Sequence, residues 1–395
     1  MNNQPAGPAG FFWVLSFEYR YNGTMLNDIQ QPPFLVDNPD AFQKMLGDFK
    51  KARRLAVDTE SNSLHAYSEQ VCLIQFSTDK ADYLVDTLAG IDISGLKKVF
   101  ADAKVEKIFH AAEYDILCLK RDYGFEFANL FDTMQAARIL GIEKIGLGNL
   151  LMDLYGIDHP KGLQKSDWTR RPMTPEMCLY GRMDTHYLAR LRETLAAQLK
   201  EKALLDLACE DFARLCQVEP NLKNGILYTQ VNGYHKLEPQ ALRVLDELCR
   251  FRDDLARKMD RPHFKVMGSS ELLAVALAQP RSMAELKKVE DIPPKILERY
   301  GEGFLSAVKR GLSLPPIILE KHVRPPQEYI NRLQALQDWR KEAAEKIKVQ
   351  SDIILPRDIL EQIAAARPGN SAELKLLMKD VPWRYKQYSS EILKV

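Results

Sequence analysis

The chain has 395 residues, of which 46% are apolar, and its 55 Lys and Arg nearly balance its 54 Asp and Glu. This length predicts two or three globular domains, because one domain usually takes about 100–200 residues, and the apolar content excludes an intrinsically disordered chain. The apolar run from Phe11 to Leu15 is far shorter than the ~20 residues of a membrane-spanning helix and lacks the basic flank of a signal peptide. We therefore expect no association with a membrane.

The six cysteines form neither a CxxC pair nor a Cys/His cluster with zinc spacing. We interpret them as reduced, mostly buried thiols and expect a cytoplasmic protein. The charge is uneven, since residues 1–235 carry a balance of −5 and residues 236–395 a balance of +6. This asymmetry is compatible with nucleic-acid binding beside a carboxylate metal site, and equally with charges spread over solvated helices.

The first part of the chain shows no hydrophobic period, and regular patterning begins soon after Met25. We interpret residues 1–30 as a disordered extension, and we leave two hypotheses for the start of translation, Met1 and Met25. Between about residues 40 and 140 the apolar period alternates between two and 3.6. Strands are predicted at 55–57, 71–76, 83–85 and 107–109, and helices near 41–50, 94–102, 114–122 and 131–139.

Early strands followed by helices predict an α/β domain with a mixed sheet, which we assign to residues 31–212. Thr174 and Pro175 are typical of the N-cap and the first position of a helix. The apolar spacing after them predicts one long helix over 175–202. A linker is predicted at 213–235.

The remainder is predicted to be helical and repeats after 88 residues, so that Pro280 superposes on Pro368 and Pro294 on Pro382. We predict two copies of one helical domain, at 236–313 and 327–395. Proline prevents helix formation in the linker between them, at 314–326.

Four carboxylates and a tyrosine stand out by their context. Asp58 and Glu60 flank Thr59 at the end of a predicted strand, so both should project together beyond the sheet, where a divalent cation would neutralise them. Asp115 lies where a strand gives way to a helix, and Tyr180 and Asp184 share one helix face. Each also has a purely structural interpretation. The first two acids are compatible with a solvated turn, Asp115 with a favourable interaction with the helix dipole, and the last two residues with a buried hydrogen-bonded pair.

Together these residues resemble the motifs of DEDD 3′→5′ exonucleases, in the tyrosine-bearing branch that includes the ribonuclease D family. The three motifs here are Asp58-Thr59-Glu60, His110 to Asp115, and Tyr180 to Asp184. The helical repeat resembles tandem HRDC domains, and the whole resemblance covers about residues 35–395. It implies a ribonuclease H-like α/β exonuclease domain with a mixed sheet, followed by two all-α HRDC domains.

The resemblance further implies two divalent metal ions, with magnesium expected and manganese as its substitute. Asp58 is then expected to bind both ions, Glu60 and Asp184 the ion that activates water, and Asp115 the second ion. Tyr180 is expected to orient the attacking water, and the product is a nucleoside 5′-monophosphate.

Five further residues are candidate substrate contacts: Thr59, His110, Trp168, Arg171 and Arg182. His110 is equally well a structural residue, and an anchor for its loop is the simpler role for Trp168. The family often has Ala-Ala after the tyrosine, where this chain has Gly181 and Arg182; Arg182 should lie on a different helix face from Tyr180, near a phosphate.

RNA 3′ ends, in particular those of tRNA precursors, are the expected substrate. Single-stranded DNA is an alternative substrate, because recognition of the 2′-hydroxyl cannot be located in the sequence. A non-catalytic RNA-binding scaffold is a second alternative, against which the retention of all four carboxylates and the tyrosine argues. The HRDC domains are expected either to add affinity for nucleic acid or to act as spacers.

Overall fold

The computed structural model describes residues 20–21, 24–25, 31–160, 162–220, 227–319 and 324–395. Within these ranges no helix combines the length and the apolar content that a bilayer span needs. The predicted extension at 1–30 lies largely outside the described residues. Its described part is a short antiparallel pair, β1 (Arg20–Tyr21) and β2 (Thr24–Met25).

A mixed sheet forms the centre of the first domain. Its strands are β3 (Phe34–Val36), β4 (Arg54–Ser61), β5 (Val71–Ser77), β6 (Asp82–Asp86), β7 (Glu106–Phe109) and β8 (Leu130–Asp132). The spatial order is β3-β6-β5-β4-β7-β8, with β5 antiparallel to both its neighbours and the other pairs parallel. The four predicted strands and the mixed sheet are confirmed. The edge strands β3 and β8 escape prediction because three residues are too few to show a period.

Helices pack around this sheet and share its apolar core. They are α1 (Pro39–Phe49), α2 (Leu96–Ala101), α3 (Glu113–Tyr123), α4 (Thr133–Ile139), α5 (Leu147–Tyr155), α6 (Pro175–His186), α7 (Leu188–Glu201) and α8 (Leu205–Cys216). The predicted domain boundary at 212 falls inside α8, which buries Leu207 and Phe212 in the core of this domain. The first domain therefore extends to Cys216.

The predicted single helix over 175–202 is wrong, because the chain breaks at Tyr187 into α6 and α7. Thr185 Oγ1 lies 3.4 Å from the carbonyl oxygen of Arg182, and such back-bonding by threonine bends helices. The break lets α6 lie across β4, β5 and β6, while α7 packs mainly on α4.

Two helical domains follow, and their helices match at a shift of 88 residues. The first contains α9 (Pro239–Met259), α10 (His263–Val266), α11 (Ser269–Ala278), α12 (Met283–Leu286) and α13 (Pro294–Ser313). The second contains α14 (Gln327–Ile347), α15 (Ser351–Ile354), α16 (Arg357–Ala366), α17 (Ser371–Leu377) and α18 (Pro382–Ile392). The first three helices of each domain begin and end at equivalent residues, so the predicted repeat is confirmed. Two 3-10 turns, Leu227–Gln230 and Tyr234–Lys236, precede α9.

Both helical domains contact the first domain. The Tyr67 hydroxyl, in the loop between β4 and β5, donates to Asp253 Oδ1 of α9 at 2.9 Å. In the second helical domain, Arg384 of α18 is fully buried and reaches Glu210 and Asp211 of α8 at 3.0 and 2.8 Å. The first helical domain therefore touches a loop whose earlier residues line the acidic cavity described below.

Candidate active site

Three of the predicted carboxylates converge at the middle of the sheet. Oxygen atoms of Asp58, Glu60 and Asp184 lie within 4.8 Å of one another. Asp115 reaches the same cavity, of about 990 Å³, from the first turn of α3. The Asp115 carboxylate accepts a hydrogen bond from the Thr59 hydroxyl. In this structure the Thr59 side chain therefore positions Asp115.

The two acids of β4 do not project beyond the sheet as the sequence predicts. β4 continues to Ser61, with Asp58 opposite Gln75 and Glu60 opposite Leu73 of β5, and the register shifts only after Glu60. The polar run from Asp58 to Ser61 looks like a turn in the sequence because it lacks apolar residues. It stays in the sheet, where α6 covers it.

Gly181 explains how closely α6 approaches. A Cβ atom at this position would lie 3.3 Å from Gln75 Nε2 and 3.4 Å from Leu73 Cδ2. An alanine would therefore push the helix or the Gln75 side chain by a few tenths of an ångström. Glycine in place of the family's first alanine therefore leaves room for the Gln75 amide. Neither the oxygen nor the nitrogen of that amide has a hydrogen-bond partner among the described residues.

Burial and mutual repulsion disfavour the ionised acids. Burial is the largest cause that raises the pKa of Asp58, and the charges of Asp115, Asp184 and Glu60 raise it further. Burial, followed by Asp184 and Asp115, raises the pKa of Glu60 to about 9. Burial also raises the pKa of Asp115 to about 7.

The donor set fits divalent cations. Asp184 Oδ2 is buried and has no hydrogen-bond partner among the described residues, although the other oxygen lies 3.0 Å from His159 Nε2. A cluster of carboxylates with an unsatisfied oxygen is stable in its ionised form when a cation neutralises it, and oxygen-only ligands suit magnesium or manganese.

Tyr180 lies one helical turn before Asp184 and lines the same cavity. Thr174 begins α6 by accepting a hydrogen bond from the Met177 amide, which fixes the register of the helix. Burial, then the charges of Asp184, Glu60 and Asp58, raise the pKa of Tyr180 above its ordinary value. The phenol therefore keeps its proton at neutral pH and is available as a hydrogen-bond donor.

His110 has a structural hydrogen bond and also faces the cavity, while its contact with substrate stays a prediction. It lines the cavity, and its Nδ1 lies 2.9 Å from the hydroxyl of Thr133, whose proton goes to the carbonyl of Phe109. Nδ1 must therefore carry the ring proton, leaving Nε2 as an acceptor. Burial, and secondarily the charge of His159, lowers the pKa of His110 to about 4, so the ring is neutral near pH 7.

Three predicted substrate contacts lie away from the cavity. Trp168 is buried beneath Tyr180, with ring centroids 5.9 Å apart, which agrees with an anchor for its loop. Arg171 makes two hydrogen bonds to Asp86, at 2.6 and 2.7 Å. Arg182 lies on another face of α6, as expected, but its Nε donates to buried Asp82 at 2.6 Å. Both guanidinium groups are thus paired with buried carboxylates, Asp86 and Asp82, and a substrate contact by either arginine stays a prediction.

The sequence analysis missed His159. Its Nδ1 lies 3.0 Å from the carbonyl oxygen of Pro160, and its ring meets Tyr180 edge-on at 5.9 Å. These contacts place it between the tyrosine and Asp184. No spacing relative to the acids marks this residue in the sequence, since it comes from the segment that follows α5.

Comparisons with known proteins agree with this architecture. Residues 33–200 match the profile of the 3′-5′ exonuclease family, and residues 241–308 and 330–395 each match that of the HRDC domain. The crystal structure of Escherichia coli RNase D, described as an exoribonuclease involved in structured RNA processing, aligns with 89% of this chain and 100% of its own, at a TM-score of 0.66 and 21% identity. This likeness shows a shared fold, including both helical domains.

Curated relatives are similar over most of this chain. Ribonuclease D of Pseudomonas paraeruginosa is 29% identical over 317 residues, which are 78% of this chain and 83% of that protein. Protein RRP6-like 2 of Arabidopsis thaliana is 31% identical over 299 residues, 72% of this chain and 34% of that protein. The chain thus spans about a third to a half of the length of the Arabidopsis proteins that it matches.

Proposed function

Because residues 33–200 belong to the 3′-5′ exonuclease family and two HRDC domains follow them, we propose that this protein is a metal-dependent 3′→5′ exoribonuclease. It releases nucleoside 5′-monophosphates from RNA 3′ ends. The observation that carries this proposal is the convergence of Asp58, Glu60 and Asp184, with Asp115 beside them, on one cavity. The ribonuclease D and RRP6-like relatives support RNA as the polymer.

The four carboxylates would hold two magnesium ions, with manganese as the substitute. When bound, such ions neutralise the developing charge and acidify the attacking water in an in-line phosphoryl displacement. Asp58, Glu60 and Asp184 form the main ligand set, since their oxygens are mutually close. Asp115 supplements it, held by the Thr59 hydroxyl.

The remaining cavity residues orient the reactants. The protonated Tyr180 hydroxyl donates a hydrogen bond to the attacking water, and His110 Nε2 is available to accept one from substrate. Lys165 lines the cavity and provides a positive charge for a phosphate. His159 is buried, and its Nε2 lies 3.0 Å from Asp184 Oδ1, where it helps to hold that carboxylate in position.

The physiological setting is a finer part of the proposal. We assign the protein to the cytoplasm, in keeping with cysteines that lack disulfide and zinc spacing, and to the maturation of tRNA precursor 3′ ends or RNA turnover. We further propose that the first HRDC domain guides a single strand toward the cavity, and its contact with the loop that carries Tyr67 supports this role over that of a spacer.

The test is digestion of 5′-labelled single strands, with RNA and DNA of the same sequence side by side. We expect a magnesium-dependent ladder that shortens from the 3′ end of RNA and forms more slowly on DNA. Faster degradation of DNA would assign the enzyme to DNA. No metal-dependent digestion of either polymer would leave only nucleic-acid binding.

Replacing Tyr180 by phenylalanine should lower turnover by about ten- to a hundredfold, since one hydrogen bond to the reacting water is worth on the order of 1–3 kcal/mol. The magnesium concentration for half-maximal activity should change little, because the phenol is not an ion ligand. Single-turnover rates over a magnesium titration separate the two effects. An unchanged rate would assign the hydroxyl a structural role.

In the metal-free protein, the stability of the fold should decrease as the pH rises. A carboxyl whose pKa is raised on folding stabilises the fold fully below its unfolded pKa and loses that contribution as pH rises through the folded value. For Glu60 this window runs from about 4.5 to about 9, and Asp115 titrates within it at about 7. Thermal melting in chelator should therefore show a lower midpoint at about pH 8 than at about pH 5. Magnesium should restore the midpoint mainly at the higher pH, and an equal magnesium effect at both would contradict the assignment.

A further inference from the structure

One loop of the exonuclease domain joins the acidic cavity to the first HRDC domain. It comprises residues 62–70, between β4 and β5, and we call it the Tyr67 loop. It begins two residues after Glu60. Ser63 and Leu64, near its start, line the cavity. The position of this loop therefore affects both the wall of the cavity and the end of the strand that carries Glu60.

Hydrogen bonds within the loop hold the part beside the cavity. The backbone amides of His65 and Ala66 donate to the carbonyl oxygen of Asn62 at 2.7 and 3.1 Å. The Asn62 side chain accepts from the amide of Gln70 at 2.7 Å, which closes the loop. His65 Nε2 also lies 2.9 Å from the carbonyl oxygen of Lys165, a residue that lines the cavity. The loop should therefore move as one unit, together with the segment of Lys165.

Residues of α9, α10 and the turn between them hold Tyr67. The Tyr67 hydroxyl donates to Asp253 Oδ1 at 2.9 Å, and its backbone amide donates to Asp260 Oδ1 at 3.0 Å. The Arg257 guanidinium lies 5.5 Å from the centroid of the tyrosine ring, and the His263 ring meets that ring edge-on at 5.8 Å. Tyr67 also packs against the apolar core of the first HRDC domain.

The carboxylate that accepts from Tyr67 is itself fixed in orientation. Asp253 is buried, its Oδ2 accepts from Arg257 at 2.8 Å, and its Oδ1 lies 2.8 Å from His263 Nε2. Hydrogen bonds to ionised groups are stronger than those between neutral groups. No described residue of the first HRDC domain lines the cavity, so its contact with the cavity is indirect, through the Tyr67 loop.

We propose that Tyr67 is a positioning residue through which the first HRDC domain holds the Tyr67 loop in place, so that this domain supports turnover even of RNA too short to reach it. The kinetic part of this inference rests on the proposed function. It goes beyond guidance of a single strand, which requires RNA to contact the domain. Release of Tyr67 should let the loop open locally and lower the fraction of molecules in which the site is assembled.

Tyr67→Phe tests the proposal, because it removes the hydroxyl and keeps the ring that packs on the HRDC domain. With a trinucleotide RNA, kcat should fall about three- to tenfold, the range expected for the loss of one hydrogen bond, and KM should change less. Asp254→Asn, at an exposed residue of α9, is the matched control and should leave both constants unchanged. Weaker binding of long single strands with an unchanged kcat on the trinucleotide would overturn the proposal, since the domain would then act by guiding RNA.

A double-mutant cycle examines whether the hydroxyl acts through the HRDC domain. Asp253→Ala removes the acceptor from the other side of the interface. If Tyr67 acts through this carboxylate, the double variant should be no slower than Asp253→Ala alone. Losses that multiply in the double variant would show that the two groups act independently, which contradicts the proposal.

Amide hydrogen exchange gives a readout that needs no substrate. In Tyr67→Phe, exchange in residues 62–70 should be about three- to tenfold faster and exchange in α9 unchanged, because the loop opens without unfolding the helix. Faster exchange throughout α9 would indicate general destabilisation, and unchanged exchange in the loop would show that the hydroxyl does not hold it. Either result would overturn the proposal. If the wild-type protein degrades no RNA, the proposed function fails, and the exchange measurement still decides whether the first HRDC domain holds the loop.

Discussion

Asp58→Asn should abolish RNA degradation and at the same time raise the melting temperature of the metal-free protein. The charge of Asp58 is repelled by all three of the other acids, Asp115, Asp184 and Glu60. Removal of a group that only positions a ligand typically costs 10–100-fold, so loss of a ligand itself should cost at least about a hundredfold in turnover. Without metal, the neutral amide removes repulsion from a buried cluster, so the fold gains stability.

The two readouts together distinguish a metal site from a structural acid. Asp153→Asn, at an exposed residue of α5 in the same domain, is the matched control and should change neither activity nor melting temperature. With magnesium present, the wild-type protein should gain more thermal stability than Asp58→Asn does. Wild-type turnover in Asp58→Asn would refute the metal assignment, and a lower melting temperature in chelator would show that the carboxylate stabilises the fold.

The sequence predicts well what depends on local period and repeats. The buried strands β4, β5, β6 and β7 show continuous apolar runs, and the repeat locates α9 and α14 in register because one packing pattern is encoded twice. Polar stretches are the opposite case: β4 continues through Ser61, although its residues from Asp58 onward resemble a turn. Packing against α6 and pairing with β5 override that local preference.

The site shows the same division. The carboxylates and Tyr180 can be recognised in the sequence because they occur in motifs of regular spacing. His159 lies in a loop without such a spacing, and only the fold brings it to Asp184. Arg171 and Arg182 look like substrate contacts in the sequence, because a sequence shows a charge without its partner. The structure supplies Asp86 and Asp82 as those partners. A buried ion pair between distant segments leaves no local pattern.

Arg384→Met should destabilise the whole protein by about 3–5 kcal/mol, the usual effect of removing one partner of a buried ion pair. The Arg384 side chain is fully buried, contacts Glu210 and Asp211 of α8, and donates twice to the carbonyl of Ile353. Methionine fills much of the volume but leaves two carboxylates without their cation. Urea denaturation measures the loss in free energy of unfolding.

The pH dependence identifies the cause of that loss. Burial already raises the pKa of Glu210, and Arg384 opposes this shift, so removing the arginine raises the pKa further. The variant should therefore lose less stability at about pH 5 than at about pH 8. Lys386→Met, at an exposed residue of the same helix, should be nearly neutral, and adding Glu210→Gln and Asp211→Asn to Arg384→Met should recover part of the loss. If Arg384→Met costs no more than Lys386→Met, α18 does not stabilise α8. If it costs the expected amount, removal of the second HRDC domain exposes these acids, and a loss of nuclease activity on truncation reflects destabilisation of the exonuclease domain as well as weaker RNA binding.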